Sequence, residues 1–447
     1  MADNHVQPDQ SSTAQTPLLN STQNQNHQRP PRSQERVKDN VDLDGVLQKL
    51  EAFLTFLGFN QSSILRSLLS WVAFFLVGLL LPIGMLELSS CSDCEMYQIK
   101  DFELDIVALQ ACLAAVSLFC LSLNLRKYGV RRFLLADRYS SRMTHSSGQY
   151  VQQIKNAMRL LVFWSFPCLI LKIAREVVRV SYVHRESLWL SSAILFGLII
   201  SWTYVSTIYL LATVLFHLIC NLQVVHFDDY AKLLERESDV LTLTEEHIRL
   251  RYNLSKISHR YRIFLLLQFC VVTTSQCVTL LQTTGYRGII TIINGGDFAV
   301  SSIVQVVGVI LCLHVATKIS HRAQGIASSA SRWHALATCS IADASQLRAS
   351  NSGGNLESTN GQNSLQMSYS ESDLESLDYI SLPINTHLAS HMSSYHRRQA
   401  FVMYLQNNPG GITIFGWTID RGLLNTIFFI ELSLVTFVLG KTIVFTA

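Results

Sequence analysis

The sequence predicts an all-α membrane protein built as a bundle of seven transmembrane helices, and three observations lead there. With 49% hydrophobic and 15% charged residues over 447 positions, the chain is too apolar and too sparsely charged for a soluble domain. Its apolar residues gather into seven stretches, each long enough at ~1.5 Å per residue to cross ~30 Å of hydrocarbon. Lys and Arg are spread unevenly over the connections, which assigns the N-terminus to the cytoplasm and the C-terminus to the extracellular side.

Taken in order, residues 1–40 are rich in Gln, Asn, Ser, Thr and Pro and are expected to form a disordered tail. With no apolar leader at the start, the first membrane helix is expected to direct insertion. In 41–60, Val41, Leu43, Val46, Leu47, Leu50, Phe53, Leu54 and Leu57 recur at helical spacing. They predict an amphipathic helix at the membrane interface or against the bundle. Residues 61–341 hold six apolar stretches, 68–86, 106–123, 157–173, 188–220, 263–283 and 298–317, with helical extensions on the cytoplasmic side. The fourth is long but has no turn residues to divide it, so it reads as one tilted helix. Asp297, after Asn294-Gly295-Gly296, reads as a helix cap. Residues 342–384 are Ser- and Asn-rich with scattered acids and are expected to be a disordered cytoplasmic insert. Residues 385–447 resume with a helix ended by Asn408-Pro409-Gly410-Gly411, followed by the seventh stretch, 423–445.

Orientation rests on the second connection (Arg126, Lys127, Arg131, Arg132, Arg138, Arg142, Lys155) and the fourth (Lys232, Arg236, Arg249, Arg251, Lys256, Arg260, Arg262). Against them, the first connection has only Lys100 and the fifth only Arg287. The third dissents with Lys172, Arg175, Arg179 and Arg185. This orientation is opposite to that of a G-protein-coupled receptor and leaves no cytoplasmic tail, so no G-protein partner is expected. The membrane expected is the plasma membrane, and nucleic acid is not among the expected partners.

No phosphate-cradling Gly loop, HExxH or nucleophile elbow is present, and the chain does not read as an enzyme. Seven cysteines lie inside apolar stretches, where they act as small apolar residues. Cys91-Ser-Asp-Cys94 is a lone pair in the first connection; zinc would need further ligands, which leaves a disulfide or free thiols. His387, His391 and His396 are too loosely spaced for a metal site, and neither metal nor cofactor is expected. Polar residues within the apolar stretches suit an outward-opening cavity for a small molecule. Ser301 and Gln305 share one helix face, Thr273 and Gln276 another, and Trp189 adds an aromatic wall. On the seventh helix, Glu431, Leu434, Val438 and Lys441 follow i, i+3, i+7, i+10 spacing and are expected to line a pore. Ser433, Thr436 and Gly440 on the other face would meet a neighbouring helix.

A family resemblance appears in the closing segment. Arg397-Arg398-Gln399-Ala400-Phe401, Asn408-Pro409-Gly410-Gly411, Phe415-Gly416-Trp417, Asp420-Arg421-Gly422-Leu423-Leu424 and Thr436-Phe437-Val438-Leu439 together resemble the end of insect gustatory and odorant receptors. There a cytoplasmic helix leads through a short extended stretch into a final membrane helix with a Thr-Tyr-apolar-Gln-Phe motif. Here Phe437 replaces the Tyr, and Ile443 and Val444 stand in place of Gln and Phe. The Cys91–Cys94 loop and the Ser-rich insert look closer to the plant gustatory-receptor-like family, whose members carry a domain of unknown function. The resemblance implies a fold of insect chemoreceptor type: a homotetrameric, ligand-gated cation channel in contact with membrane lipid, its seventh helix lining the pore. A non-conducting scaffold or signalling protein on the same fold is the alternative.

Overall fold

Long apolar periodicity is converted almost everywhere into long helices. The structure is a computed structural model describing residues 32–89, 100–135, 147–182, 188–236, 239–285, 292–349 and 394–444, with side chains given inside those limits apart from some segment ends and residues 438–439. The elements are α1 (Arg32–Phe56), α2 (Ile64–Ala73), a π-helical stretch (Phe74–Leu80), α3 (Leu81–Ser89), α4 (Lys100–Tyr128), α5 (Val130–Leu135), α6 (Ser147–Tyr182), α7 (Leu188–Arg236), α8 (Val240–Gly285), α9 (Ile292–Ala349), α10 (Ser394–Asn407), strands β1 (Thr413–Ile414) and β2 (Trp417–Thr418), and α11 (Arg421–Val444). Cys91, Cys94, the tail before residue 32 and residues 350–393 of the insert lie outside the described residues.

Six helices among the described residues are long and apolar enough to cross a membrane: Ile64–Ser89, Phe102–Tyr128, Gly148–Ser181, Trp189–Arg236, Val240–Gly285 and Gly296–Cys339. They coincide with the first six apolar stretches of the sequence. The seventh stretch is also helical, as α11. α7 is one unbroken 49-residue helix, as the lack of turn residues predicts. It is the central post, 83% buried over its apolar window, with α3, α4, α6, α8 and α9 around it. The Ile64–Ser89 and α6 windows are only 22% buried and form the outer wall.

Local chemistry sets the boundaries. Ser63 Oγ accepts the Arg66 N–H at the start of α2, and Asp239 carboxylate oxygens accept from the Leu241 and Thr242 N–H groups at the start of α8. Asp420 Oδ1 accepts the Leu423 N–H at 2.8 Å, beginning α11. β1 and β2 pair antiparallel around Phe415 (φ 48°) and Gly416 (φ 88°), a two-residue turn whose left-handed backbone matches the twist of a tight hairpin. α9 continues past the expected boundary at 342 to Ala349, because Ala342-Asp343-Ala344-Ser345-Gln346-Leu347-Arg348 contains good helix formers and no breaker.

α1 buries Leu43, Leu47, Leu50 and Leu54, spaced three or four apart, and packs against α6. α3, α8 and α6 end, and α4, α7 and α9 begin, at one end of the bundle, here called the loop end. At the opposite, extension end the polar halves of α7, α8 and α9 run on, and α8 and α9 pack with α10.

Candidate functional site

Six ionisable side chains meet at the loop end. α6 supplies Lys172, Arg175, Glu176 and Arg179, whose i, i+3, i+4, i+7 spacing puts them on one face. α4 contributes Glu103 and the start of α9 contributes Asp297. Arg175 is the hub, reaching Glu103 at 2.5 Å, Glu176 at 2.7 Å and Asp297 at 3.1 Å. Lys172 bridges Asp297 (2.5 Å) and Glu176 (2.8 Å). Arg179 bridges Glu103 (3.1 Å) and Glu176 (3.0 Å). Five of the side chains are at most 6% exposed and Asp297 is 13% exposed. Among the described residues, three cations and three carboxylates balance. Taking such charges out of water costs several kcal/mol each, which only close pairing can offset.

A partly open cavity of about 30 Å³, room for a water or two, adjoins this network. Glu103, Lys172, Glu176, Arg179 and Asp297 line it together with apolar groups from the π-helical stretch, α3, α4 and α7. Arg175 is outside the lining.

From the cavity a polar seam descends along one stripe of α9, Asp297, Ser301, Gln305, Gly308 and Cys312. Gln110 of α4 donates to Ser301 Oγ. Gln276 Nε2 donates to Gln305 Oε1 at 3.5 Å, and the Tyr209 hydroxyl donates to the Gln305 carbonyl at 2.9 Å. Gln268 Nε2 donates to the Tyr209 hydroxyl (2.9 Å) and Cys312 Sγ donates to Gln268 Oε1 (3.5 Å). The Tyr209 hydroxyl lies where a Cβ on Gly308 would be. A second, apolar cavity of about 180 Å³ lies between α6 and α7.

The structure thus joins Ser301, Gln305 and Gln276 in one seam. Ser301 lines the charged cavity, while Gln305 and Gln276 bond to each other below it. Thr273 instead donates to Glu431 Oε1 at 3.4 Å, and Trp189 is 89% exposed at the start of α7. On α11, Glu431 and Leu434 of the expected pore face are turned inward within the protomer. Glu431 is 3% exposed, and with Leu424, Ile427, Leu434 and Val435 it forms the stripe that packs on α8 and α9. The uncovered face carries Asn425, Phe429, Ser433 and Thr436. Burial of the long apolar residues and of Glu431 decides the faces, and the small residues point away. The side chains of Val438 and Lys441 lie outside the described residues.

Sequence reasoning missed the ionic network because Lys172, Arg175 and Arg179 were counted as loop charges and Asp297 as a cap. The signal was present: four ionisable residues at i, i+3, i+4, i+7 in an apolar helix must share a face and need partners.

No curated protein and no solved structure matches the chain, so the resemblance to insect chemoreceptors rests on its motifs alone. Residues 45–430 do match a family model, and the chain belongs to the family described as protein of unknown function, DUF3537.

Proposed function

We propose that this chain is one subunit of an oligomeric, ligand-gated ion channel of the plasma membrane. It crosses seven times, α11 included, with the extension end in the cytoplasm. The observation that carries this is the course of α9. That helix lines the charged cavity with Asp297 and Ser301, then packs along α11 and touches its cap through Thr317 Oγ1 and the Asp420 carbonyl at 3.4 Å. A ligand that shifts the outer end of α9 moves the helix that carries α11, some 30 Å away at ~1.5 Å per residue. The uncovered face of α11, with Asn425, Phe429, Ser433 and Thr436, then lines the axis of a homotetramer. Orientation gains support from the ion pairs. Three of the four dissenting cations of the third connection, Lys172, Arg175 and Arg179, are neutralised inside the bundle, which shifts the weight to the basic second and fourth connections.

The alternative, a non-conducting scaffold or signalling protein, is favoured by one detail. The hydroxyls of Thr426, Ser433 and Thr436 all bond back to carbonyls four residues earlier, so these hydroxyls can lie in lipid with their hydrogen bonds satisfied. Cysteine substitution separates the two. In reconstituted protein, Ser433→Cys treated with a charged thiol reagent should lose most of its current, while Leu434→Cys, on the packed face, should not. Block at Leu434→Cys alone reverses the faces, and no current from folded wild-type protein under any ligand favours the scaffold.

A further inference from the structure

We propose that the charged cavity at the loop end binds a zwitterion of α-amino-acid type with a small apolar side chain. The proposal rests on the cavity being the ligand site and adds the chemical class of its ligand.

The first ground is charge balance. Among the described residues, the six ionisable groups of the network are paired with one another, and their formal charges cancel. A ligand bearing one net charge would leave an uncompensated charge among groups removed from water, a penalty of several kcal/mol. A ligand bearing one ammonium and one carboxylate adds no net charge. It can insert across an existing pair and give each member a new partner of the right sign.

The second ground is which groups reach the cavity. Two cations, Lys172 and Arg179, line it together with the carboxylates of Glu103, Glu176 and Asp297. The pairs between cavity-lining residues are Lys172 with Asp297 and Glu176, and Arg179 with Glu103 and Glu176. Arg175, outside the lining, holds all three carboxylates whether or not those pairs open. A ligand carboxylate therefore meets Lys172 or Arg179, and its ammonium meets Asp297, Glu103 or Glu176. Gln110 and Ser301 stand beside them as neutral hydrogen-bonding groups.

The rest of the lining gives the side chain. Pro82, Leu86, Val107, Leu198, Trp202 and Val205 supply an apolar surface to the same cavity. At about 30 Å³ the cavity must widen to admit even a small amino acid. The wall that can yield is the helix 64–89: it is among the least buried of the crossing helices, and it faces the cavity with Gly78, inside the π-helical stretch, and with Pro82 and Leu86. π-helical turns have strained hydrogen bonding and recur where helices change shape at functional sites.

The test uses full-length protein in detergent and three probes of one carbon skeleton: L-valine, isobutylamine, which lacks the carboxylate, and 3-methylbutanoate, which lacks the ammonium. L-valine should raise the melting temperature saturably, and each single-charge analogue should bind at least about ten-fold more weakly. Val107→Trp fills the cavity without touching a charge and should abolish the shift; Leu198→Phe serves the same purpose if the first variant does not fold. Equal binding of an analogue, absence of L-valine binding, or full binding in a folded, filled variant overturns the proposal. Two results separate it from the channel reading. L-valine binding with no current under any compound leaves this site standing and removes the channel. Current evoked by another class of compound, without L-valine binding, does the reverse.

Discussion

Gly308 decides how closely α7 and α9 approach, because the Tyr209 hydroxyl occupies the place a side chain would need. Gly308→Ala should push that ring aside and break its bonds to the Gln305 carbonyl and Gln268, a loss of about 1–3 kcal/mol. Tyr209→Phe should also destabilise, since Gln268 Nε2 loses its acceptor. The double variant should cost less than the sum, which melts of all three variants would show. In the ionic network the stakes are higher. Glu103→Gln leaves Arg179 without one of its two carboxylates and Arg175 without its 2.5 Å partner, and should cost about 3–5 kcal/mol in thermal or denaturant unfolding. At this scale the sequence was informative about residue type and silent about partners. Ser301, Gln305 and Gln276 stood out as polar groups in apolar helices, and the structure joins them. Asp297 read as a cap because its neighbours are Asn294, Gly295 and Gly296; its pairing with Lys172, 125 residues away, is invisible to local pattern.

Elements were far more legible than their contacts. The first six apolar stretches became six helices able to cross a membrane, since periodicity and length act locally. Which face of α11 turns inward depends on what α8 and α9 present to it, and this reversed the expected faces. The extension end offers a test of packing among elements. His247 on α8 lies some 24 Å before the start of the apolar stretch at Ile263, at ~1.5 Å per residue. There it stacks on Tyr230 of α7 and reaches Tyr404 of α10 at 3.3 Å. Burial, then the nearby Arg251 charge, pushes its imidazole down to about 3 from the ordinary 6.5. It is therefore neutral when folded and takes up a proton on unfolding below about pH 6.5. The stability this confers is complete above 6.5 and is lost as the pH falls toward 3. Hydrogen exchange in α10 should rise over that window, and His247→Gln should flatten the rise.

The whole molecule is much longer than a bilayer is thick. α7, α8 and α9 contain 49, 46 and 58 residues, or roughly 70–90 Å at ~1.5 Å per residue, against ~30 Å of hydrocarbon. About half of each stands outside the membrane, all at the same end, where α10 joins them. Tags at the two chain ends should be reached from opposite sides of intact and permeabilised cells; a C-terminal tag that needs permeabilisation would refute the seven-crossing topology. The ion pairs of α6 also bear on how the protein is made. When α6 leaves the ribosome, Glu103 already exists, but Asp297 is still 125 residues from Lys172 along the chain. At about 5–20 residues per second, that is a delay of about 6–25 s. For that interval the network has three cations from α6 against two available carboxylates, and an unpaired buried charge is costly. Full pairing at the loop end of α6 therefore waits until the start of α9 arrives, so the order of synthesis makes α9 the helix that completes the network.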